Sequence, residues 1–151
     1  DRIVLVDFSP KALAAARRKV PKRKLEATIR ADLTLDWKKV RALGTFDLVS
    51  LCEVIQHFPR RANRERALRR AAGMLSPEGL LLFSNYRRID PRDREGFFRS
   101  DRYDHLLYYW RGSPAGFKSL FRQAGLRLIG RFGGETSDAF LLARVALRSA
   151  V

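Results

Sequence analysis

The opening stretch DRIVLVDFSPKALAAARRK constrains the fold more than any other part of the chain. Its β-branched apolar run at residues 3–6 predicts a buried strand that ends at Asp7. Ser9 and Pro10 then mark a helix start, because serine caps the first turn and proline suits the first helical position. Leu13 and the alanines predict a helix with basic residues in its last turn. This β-α unit is the building block of a parallel sheet.

Asp7 has two interpretations at the end of that strand. In nucleotide-binding βαβ units, a carboxylate at this position accepts hydrogen bonds from ribose hydroxyls. The same residue is also common as a helix-capping or loop aspartate in α/β proteins of other functions. The opening stretch alone does not choose between the two.

Strand and helix signals alternate through the next part of the chain. Residues 46–51 (FDLVSL) form a nearly continuous apolar run, which is typical of a parallel strand covered on both faces. The alternation predicts a doubly wound, mostly parallel α/β sheet. The remaining signals are strands at 25–29 and 80–83, a short amphipathic helix at 36–43, a basic amphipathic helix at 59–74 and a turn at 76–79.

The last third of the chain differs in character. Arginines and aromatic residues interleave over residues 87–112. The aromatic residues either stack on a flat ligand or form the buried face of a lid helix, and we expect the lid helix. Ser113 and Pro114 open a further helix with an apolar stripe. Strands at 126–132 and 139–145 then flank a Gly133–Gly134 turn and predict a terminal antiparallel pair.

Four segments in register carry a resemblance to a known family: VLVDFSPKALAAAR, IRADL, FDLVSLCEVIQHF and MLSPEGLLLFSNY. Their order and spacing resemble the class I S-adenosylmethionine-dependent methyltransferases, in particular the small-molecule branch. The resemblance covers residues 1–86 well. It implies S-adenosylmethionine as the cofactor and a Rossmann-like sheet. The family's first strand and glycine-rich loop are expected before Asp1, so we expect this chain to lack the first β-α unit and to bind the cofactor weakly by itself.

The resemblance also implies the residues that contact the cofactor. Asp7 would accept hydrogen bonds from the ribose, with Phe8 beside it. Asp32 would accept from the adenine amine, and the Leu33 amide would reach a ring nitrogen. Cys52 and Glu53, at the end of a third strand, would face the methionine end of the cofactor or the acceptor.

Catalysis of methyl transfer needs few dedicated groups, because the protein mainly aligns donor and nucleophile and removes a proton where needed. His57 is the candidate general base, since imidazole titrates near neutrality, and Glu53 is the second catalytic candidate. Alternatively His57 only packs, and His105 is a weaker candidate. The expected substrate-binding residues are Asn85, Tyr86, Tyr108 and Trp110, with 87–112 as an acceptor-binding lid.

The amino-acid composition limits which metals, membranes and macromolecules are expected as partners. One cysteine excludes an internal disulfide and a multi-cysteine zinc site, and no metal is expected. We expect a single domain over residues 1–151, located in the cytoplasm, without a membrane span; the sequence leaves the oligomeric state open. The net charge of +15 admits nucleic acid as a partner.

A small-molecule acceptor is nevertheless the expectation. The chain has no Asn/Asp-Pro-Pro-Tyr run of the kind used on base amines, and Cys52 does not follow a proline as in RNA cytosine-C5 enzymes. An RNA methyltransferase with a basic aromatic lid, a non-catalytic α/β binding module and an NAD-dependent oxidoreductase remain the alternatives.

Overall fold

The computed structural model describes residues 1–86, 95–99, 106–134 and 137–145. Two compact units make up the chain, Asp1–Gly44 and Thr45–Val151. In the described part, no helix is both long enough and apolar enough to cross a membrane.

The first unit is a parallel strand pair with a connecting helix. Strand β1 (Ile3–Asp7) pairs in parallel with β2 (Leu25–Arg30), and helix α1 (Pro10–Lys19) joins them. The Ser9 side chain accepts a hydrogen bond from the Ala12 amide at 3.2 Å, which confirms the predicted cap. A short helix, α2 (Lys38–Arg41), follows within the predicted range.

The second unit is built on a four-stranded sheet. Strand β3 (Phe46–Cys52) is parallel to β4 (Leu75–Tyr86), which is antiparallel to β8 (Ser137–Arg144), and β8 is antiparallel to β7 (Leu126–Gly133). Helix α3 (Arg61–Ala72) connects β3 to β4. The predicted α/β class is thereby confirmed, with parallel strands first and an antiparallel pair at the end.

An aromatic core holds this sheet to helix α4 (Pro114–Gln123). Alternate residues of β4 are buried, which puts Phe83 against the rings of Phe117, Phe121 and Phe140 at centroid distances of 5.4–6.0 Å. The stripe on α4 has helical spacing, so one face of the helix supplies two of these rings. The predicted helix from Ser113 and its apolar stripe are confirmed.

The predicted turn at 76–79 lies inside β4 rather than before it. Phe46 of β3 pairs with Leu75, but Leu48, two residues on, pairs with Leu80. The four residues between therefore bulge out of the ladder, and the strand pairs with β3 on both sides of them. Gly79 closes this bulge, where a Cβ atom would lie 2.7 Å from the Phe46 carbonyl oxygen.

The expected lid helix is wrong for the described part of 87–112. Strands β5 (Gly96–Arg99) and β6 (Leu106–Tyr109) form an antiparallel ribbon there, and Phe97 is 65% exposed rather than buried. Short runs of aromatic and branched residues favour strands, and cross-strand pairs stabilise them. The ring of Phe97 lies against that of its partner Tyr108 at 5.4 Å.

Two glycines give opposite predictions for stability. Gly79→Ala places a methyl group against backbone, so we expect a loss of about 1–3 kcal/mol. Gly73→Ala, at the end of α3, has helical backbone angles and neighbours no nearer than 3.5 Å, so a gain of about 0.4–1 kcal/mol is expected. Urea unfolding measures both, and equal effects of the two variants would contradict the bulge.

Candidate functional site

Two carboxylates follow the ends of the paired strands in the first unit. Asp7 ends β1, and its Oδ1 accepts a hydrogen bond from the Ser9 amide at 2.7 Å. Asp32 follows β2, and its Oδ1 accepts from the Thr34 amide at 2.8 Å and from the Thr34 hydroxyl at 2.7 Å. Because β1 and β2 are adjacent and parallel, both carboxylates lie at the same edge. No described residue hydrogen-bonds either Oδ2.

The two neighbours predicted with them have different surroundings. The Phe8 ring is 72% exposed, and its carbonyl accepts a hydrogen bond from Nε of Arg30 at 3.2 Å. Leu33 is half-buried, and its carbonyl accepts from the Trp37 indole at 2.7 Å. The backbone carbonyls of Phe8 and Leu33 thus each accept a side-chain hydrogen bond, one from Arg30 of the neighbouring strand and one from Trp37.

In the second unit, Glu53 is held at the edge of the sheet by its backbone. Its amide donates to the Ser84 carbonyl at 3.1 Å, and Cys52 pairs with Ser84 in the ladder. Glu53 has a φ of 56°, and no other described residue except glycine has a positive φ. This conformation costs an L-residue roughly 1–2 kcal/mol. Strain of this kind concentrates at functional sites, and the Glu53 side chain is exposed there.

Tyr86 ends strand β4 near this carboxylate. Residues 84 and 86 share one face of the strand, because alternate residues point the same way. Burial raises the pKa of the Tyr86 phenol above its usual 10.0, the negative charge of Glu53 raises it further, and Arg111 opposes the shift. The Tyr86 hydroxyl therefore keeps its proton at neutral pH and is a hydrogen-bond donor.

A buried glutamine that the sequence did not single out fixes the role of His57. Gln56 is 1% exposed, and its Oε1 accepts from the Tyr86 amide at 3.2 Å. Its NH₂ group therefore donates to Nε2 of His57 at 3.4 Å, while Nδ1 of His57 donates to the Tyr108 carbonyl at 2.9 Å. Both ring nitrogens of His57 are engaged. General-base catalysis by His57 stays a prediction.

Asn85 lies inside the protein, and its side-chain oxygen Oδ1 has no hydrogen-bond partner among the described residues. It is fully buried, and its amide donates to the carbonyls of Tyr86 and Trp110, both at 3.0 Å. The Trp110 ring packs between the Arg64 guanidinium, 4.6 Å from its centroid, and Phe117 at 5.5 Å. These contacts attach the chain after β6 to the end of β4. Substrate binding by Asn85, Tyr108 and Trp110 stays a prediction.

Three rings of the second unit pack together, and the charge of Glu53 acts on one of them, the Tyr86 phenol. We call these four side chains the acidic aromatic cluster: Glu53, His57, Tyr86 and Tyr109. The Tyr109 ring meets His57 at 4.9 Å and Tyr86 at 5.7 Å, both at interplanar angles of 66°. Sequence reasoning missed Tyr109, whose place depends on the pairing of β5 with β6. His105 lies outside the described residues.

The strained backbone at Glu53 predicts that replacing this residue with glycine does not lower the stability of the protein. Glu53→Gly relieves about 1–2 kcal/mol of strain but adds about 0.5–1 kcal/mol of backbone entropy cost. We expect it to unfold at the same urea concentration as the wild type or slightly higher, whereas Glu53→Gln keeps the strain. A loss of more than 1 kcal/mol in Glu53→Gly alone would show that the backbone at residue 53 is unstrained.

Solved structures of methyltransferases share this fold. The CcbJ methyltransferase from Streptomyces caelestis superposes with a TM-score of 0.73 at 14% identity, over 96% of this chain and 75% of its own. A methyltransferase from Clostridium acetobutylicum, described as S-adenosylmethionine-dependent, gives 0.71 at 13%, over 97% and 76%. The N-methyltransferase NodS from Bradyrhizobium japonicum gives 0.65 at 20%, over 95% and 73%. At these identities the likeness concerns the fold.

The family follows from the sequence match. Residues 1–81, more than half of the 151, match the model of the methyltransferase domain, and no curated protein sequence matches the chain. The matched range contains both strand-end carboxylates and Glu53. It confirms the predicted superfamily, the enzyme class and the cofactor. The chain belongs to the methyltransferase domain family, among the class I enzymes whose methyl donor is S-adenosylmethionine.

Proposed function

We propose that this protein transfers a methyl group from S-adenosylmethionine to an oxygen, nitrogen or carbon atom of a small molecule. The observation that supports the proposal best is the pair of carboxylates at the ends of adjacent parallel strands. Each is oriented by a local amide through Oδ1 and keeps Oδ2 for another donor.

The donor chemistry of adenosine fits these two residues. Ribose hydroxyls and the adenine amine are hydrogen-bond donors, and ionised carboxylates accept from them strongly. In this proposal Asp7 binds the ribose and Asp32 binds the adenine amine. The Leu33 amide and the exposed Phe8 ring contact the base, and Cys52 and Glu53 contact the methionine end or the acceptor.

When bound, S-adenosylmethionine supplies an electrophilic methyl group. The remaining tasks of the chain are to orient the nucleophile and to accept its proton. Glu53 has an exposed carboxylate for the proton, whereas both nitrogens of His57 are already hydrogen-bonded. We therefore assign proton removal to Glu53 and the positioning of β6 to His57. Tyr86, at the hydrogen-bonded end of β4, contacts the acceptor.

The segment 87–112 is proposed as the acceptor-binding part. Its β5–β6 ribbon carries exposed aromatic rings. The backbone carbonyls of Tyr108 and Trp110 accept hydrogen bonds from His57 and from Asn85, the residue before Tyr86. A cytoplasmic location fits the single cysteine, which is exposed and free.

Conservative variants at the strand ends test the proposal. Asp7→Asn and Asp32→Asn each keep an oxygen for the local amide but lose the charge. The loss of a charge-assisted hydrogen bond, about 1.5–3 kcal/mol, weakens S-adenosylmethionine binding by roughly 10- to 100-fold. Isothermal titration of the full-length protein measures the affinity.

Asp36→Asn is the matched control. Asp36 also accepts a hydrogen bond from the amide two residues on, at 2.8 Å, but it does not follow a strand. We expect its affinity to equal that of the wild type. Equal affinities for all three variants would overturn the assignment of Asp7 and Asp32.

A further inference from the structure

We infer that the methyl acceptor is an amine, and that the acidic aromatic cluster binds its ammonium form before transfer. The inference rests on the proposed function and narrows its acceptor from oxygen, nitrogen or carbon to nitrogen. It follows from the joint presence of ring faces and a carboxylate in one cluster.

The rings of the cluster are set at steep angles to one another. Tyr109 meets His57 and Tyr86 at 66° and Phe98 at 59°, with centroids 4.9–6.2 Å apart. Rings set in this way present their faces in different directions, and the negative face of an aromatic ring attracts a cation. Tyr86 and Tyr109 are only half-buried, so their rings are accessible to a small molecule.

The charge of the cluster also favours a cation. Glu53 is its one carboxylate, and its amide bonds to the carbonyl of Ser84, two residues before Tyr86 on the same face of β4. The charge of Glu53 accordingly raises the pKa of the Tyr86 phenol, while Arg111 opposes that shift. Arg111 lies over the outer ring Phe98, 5.6 Å from its centroid, and has further interactions. An ammonium group on the accessible side of the Tyr86 or Tyr109 ring is therefore attracted by the negative charge of Glu53.

A neutral or anionic acceptor would bind to the cluster more weakly than a cation. A phenol or alcohol gains nothing from the ring faces that a cation gains, and a carboxylate is repelled by Glu53. An ammonium group is attracted both by the aromatic faces and by the carboxylate. An amine is therefore the acceptor that this arrangement discriminates best.

The same carboxylate completes the reaction. Glu53 takes one proton from the ammonium group and passes it to solvent, which leaves the nitrogen lone pair free. That lone pair forms a bond to the methyl carbon while the carbon–sulfur bond breaks, and sulfur keeps the bonding pair. The product is a methylated ammonium ion and a neutral thioether, so charge and atoms balance.

Three probes of one shape and different charge test the inference: benzylamine, benzyl alcohol and benzoate. Their dissociation constants for the full-length protein are measured by NMR titration at neutral pH. We expect benzylamine to bind about 10-fold more tightly than benzyl alcohol, equivalent to about 1.4 kcal/mol, and benzoate to bind most weakly.

Variants of Glu53 and Tyr109 measure separately what the carboxylate and the ring contribute to binding. Glu53→Gln is expected to lower benzylamine affinity about 10-fold and to leave benzyl alcohol unchanged. Tyr109→Leu weakens benzylamine, whereas Tyr109→Phe keeps the ring face and the affinity. Glu78→Gln, at an exposed residue of the β4 bulge, is the control and is expected to bind like the wild type. Unfolding curves establish that each variant is folded.

Several results would overturn the inference: equal affinity for benzylamine and benzyl alcohol, tightest binding of benzoate, or no binding of benzylamine. Titration of S-adenosylmethionine into the same protein separates this outcome from failure of the proposed function. If the protein binds the cofactor but does not prefer benzylamine, the inference that the acceptor is an amine is wrong and the proposed methyltransferase function remains. Amine preference without cofactor binding overturns the methyltransferase proposal.

Discussion

Parallel strand pairing is the constraint on which the candidate sites depend. It places the carboxyl ends of neighbouring strands at one edge, so residues far apart in sequence come together there. The sheet of the first unit has Asp7 and Asp32 at this edge. The sheet of the second unit has Glu53 and Tyr86 at its own corresponding edge. The carboxylates of Asp7 and Asp32 each accept a hydrogen bond from the amide two residues on, and the backbone amide of Glu53 donates to the Ser84 carbonyl. The sheet therefore determines where these acidic residues lie, and the hydrogen bonds at the strand ends help to orient them.

Buried amide groups have the corresponding role for the second unit. The Asn85 side chain joins the end of β4 to Trp110 after β6, 25 residues away, and the Gln56 side chain accepts a hydrogen bond from the Tyr86 amide, 30 residues away. An unsatisfied buried amide is costly, so these bonds strongly favour one arrangement. They also hold Tyr109 beside Tyr86. The acidic aromatic cluster is thus supported by buried polar groups.

The local elements could be predicted from the sequence because their signals are local. Ser9 with Pro10 marks a capped helix, and FDLVSL marks a strand, whatever lies around them. The expected burial of that strand on both faces is wrong, because β3 ends the strand order of its sheet, only Leu51 is buried and Leu48 is 58% exposed. The family resemblance added Asp7 and Asp32, since motifs in register imply strand ends. Only the structure could show the positive φ of Glu53, which depends on its hydrogen bond to Ser84.

The same limit explains the errors. The aromatic residues after β4 have no helical or strand period strong enough to decide between a lid helix and a ribbon, and the cross-strand pairs decide it. Gln56 and Tyr109 were missed because their partners lie 30 or more residues away along the chain or on another strand. Sequence patterns carry little information at that distance.

The most direct test of the account is a crystal structure of the full-length protein with S-adenosylhomocysteine. We predict that the Asp7 carboxylate lies within hydrogen-bonding distance of the ribose hydroxyls and that Asp32 accepts from the adenine amine. A nucleoside bound away from both carboxylates, with each in contact only with water, would contradict the account.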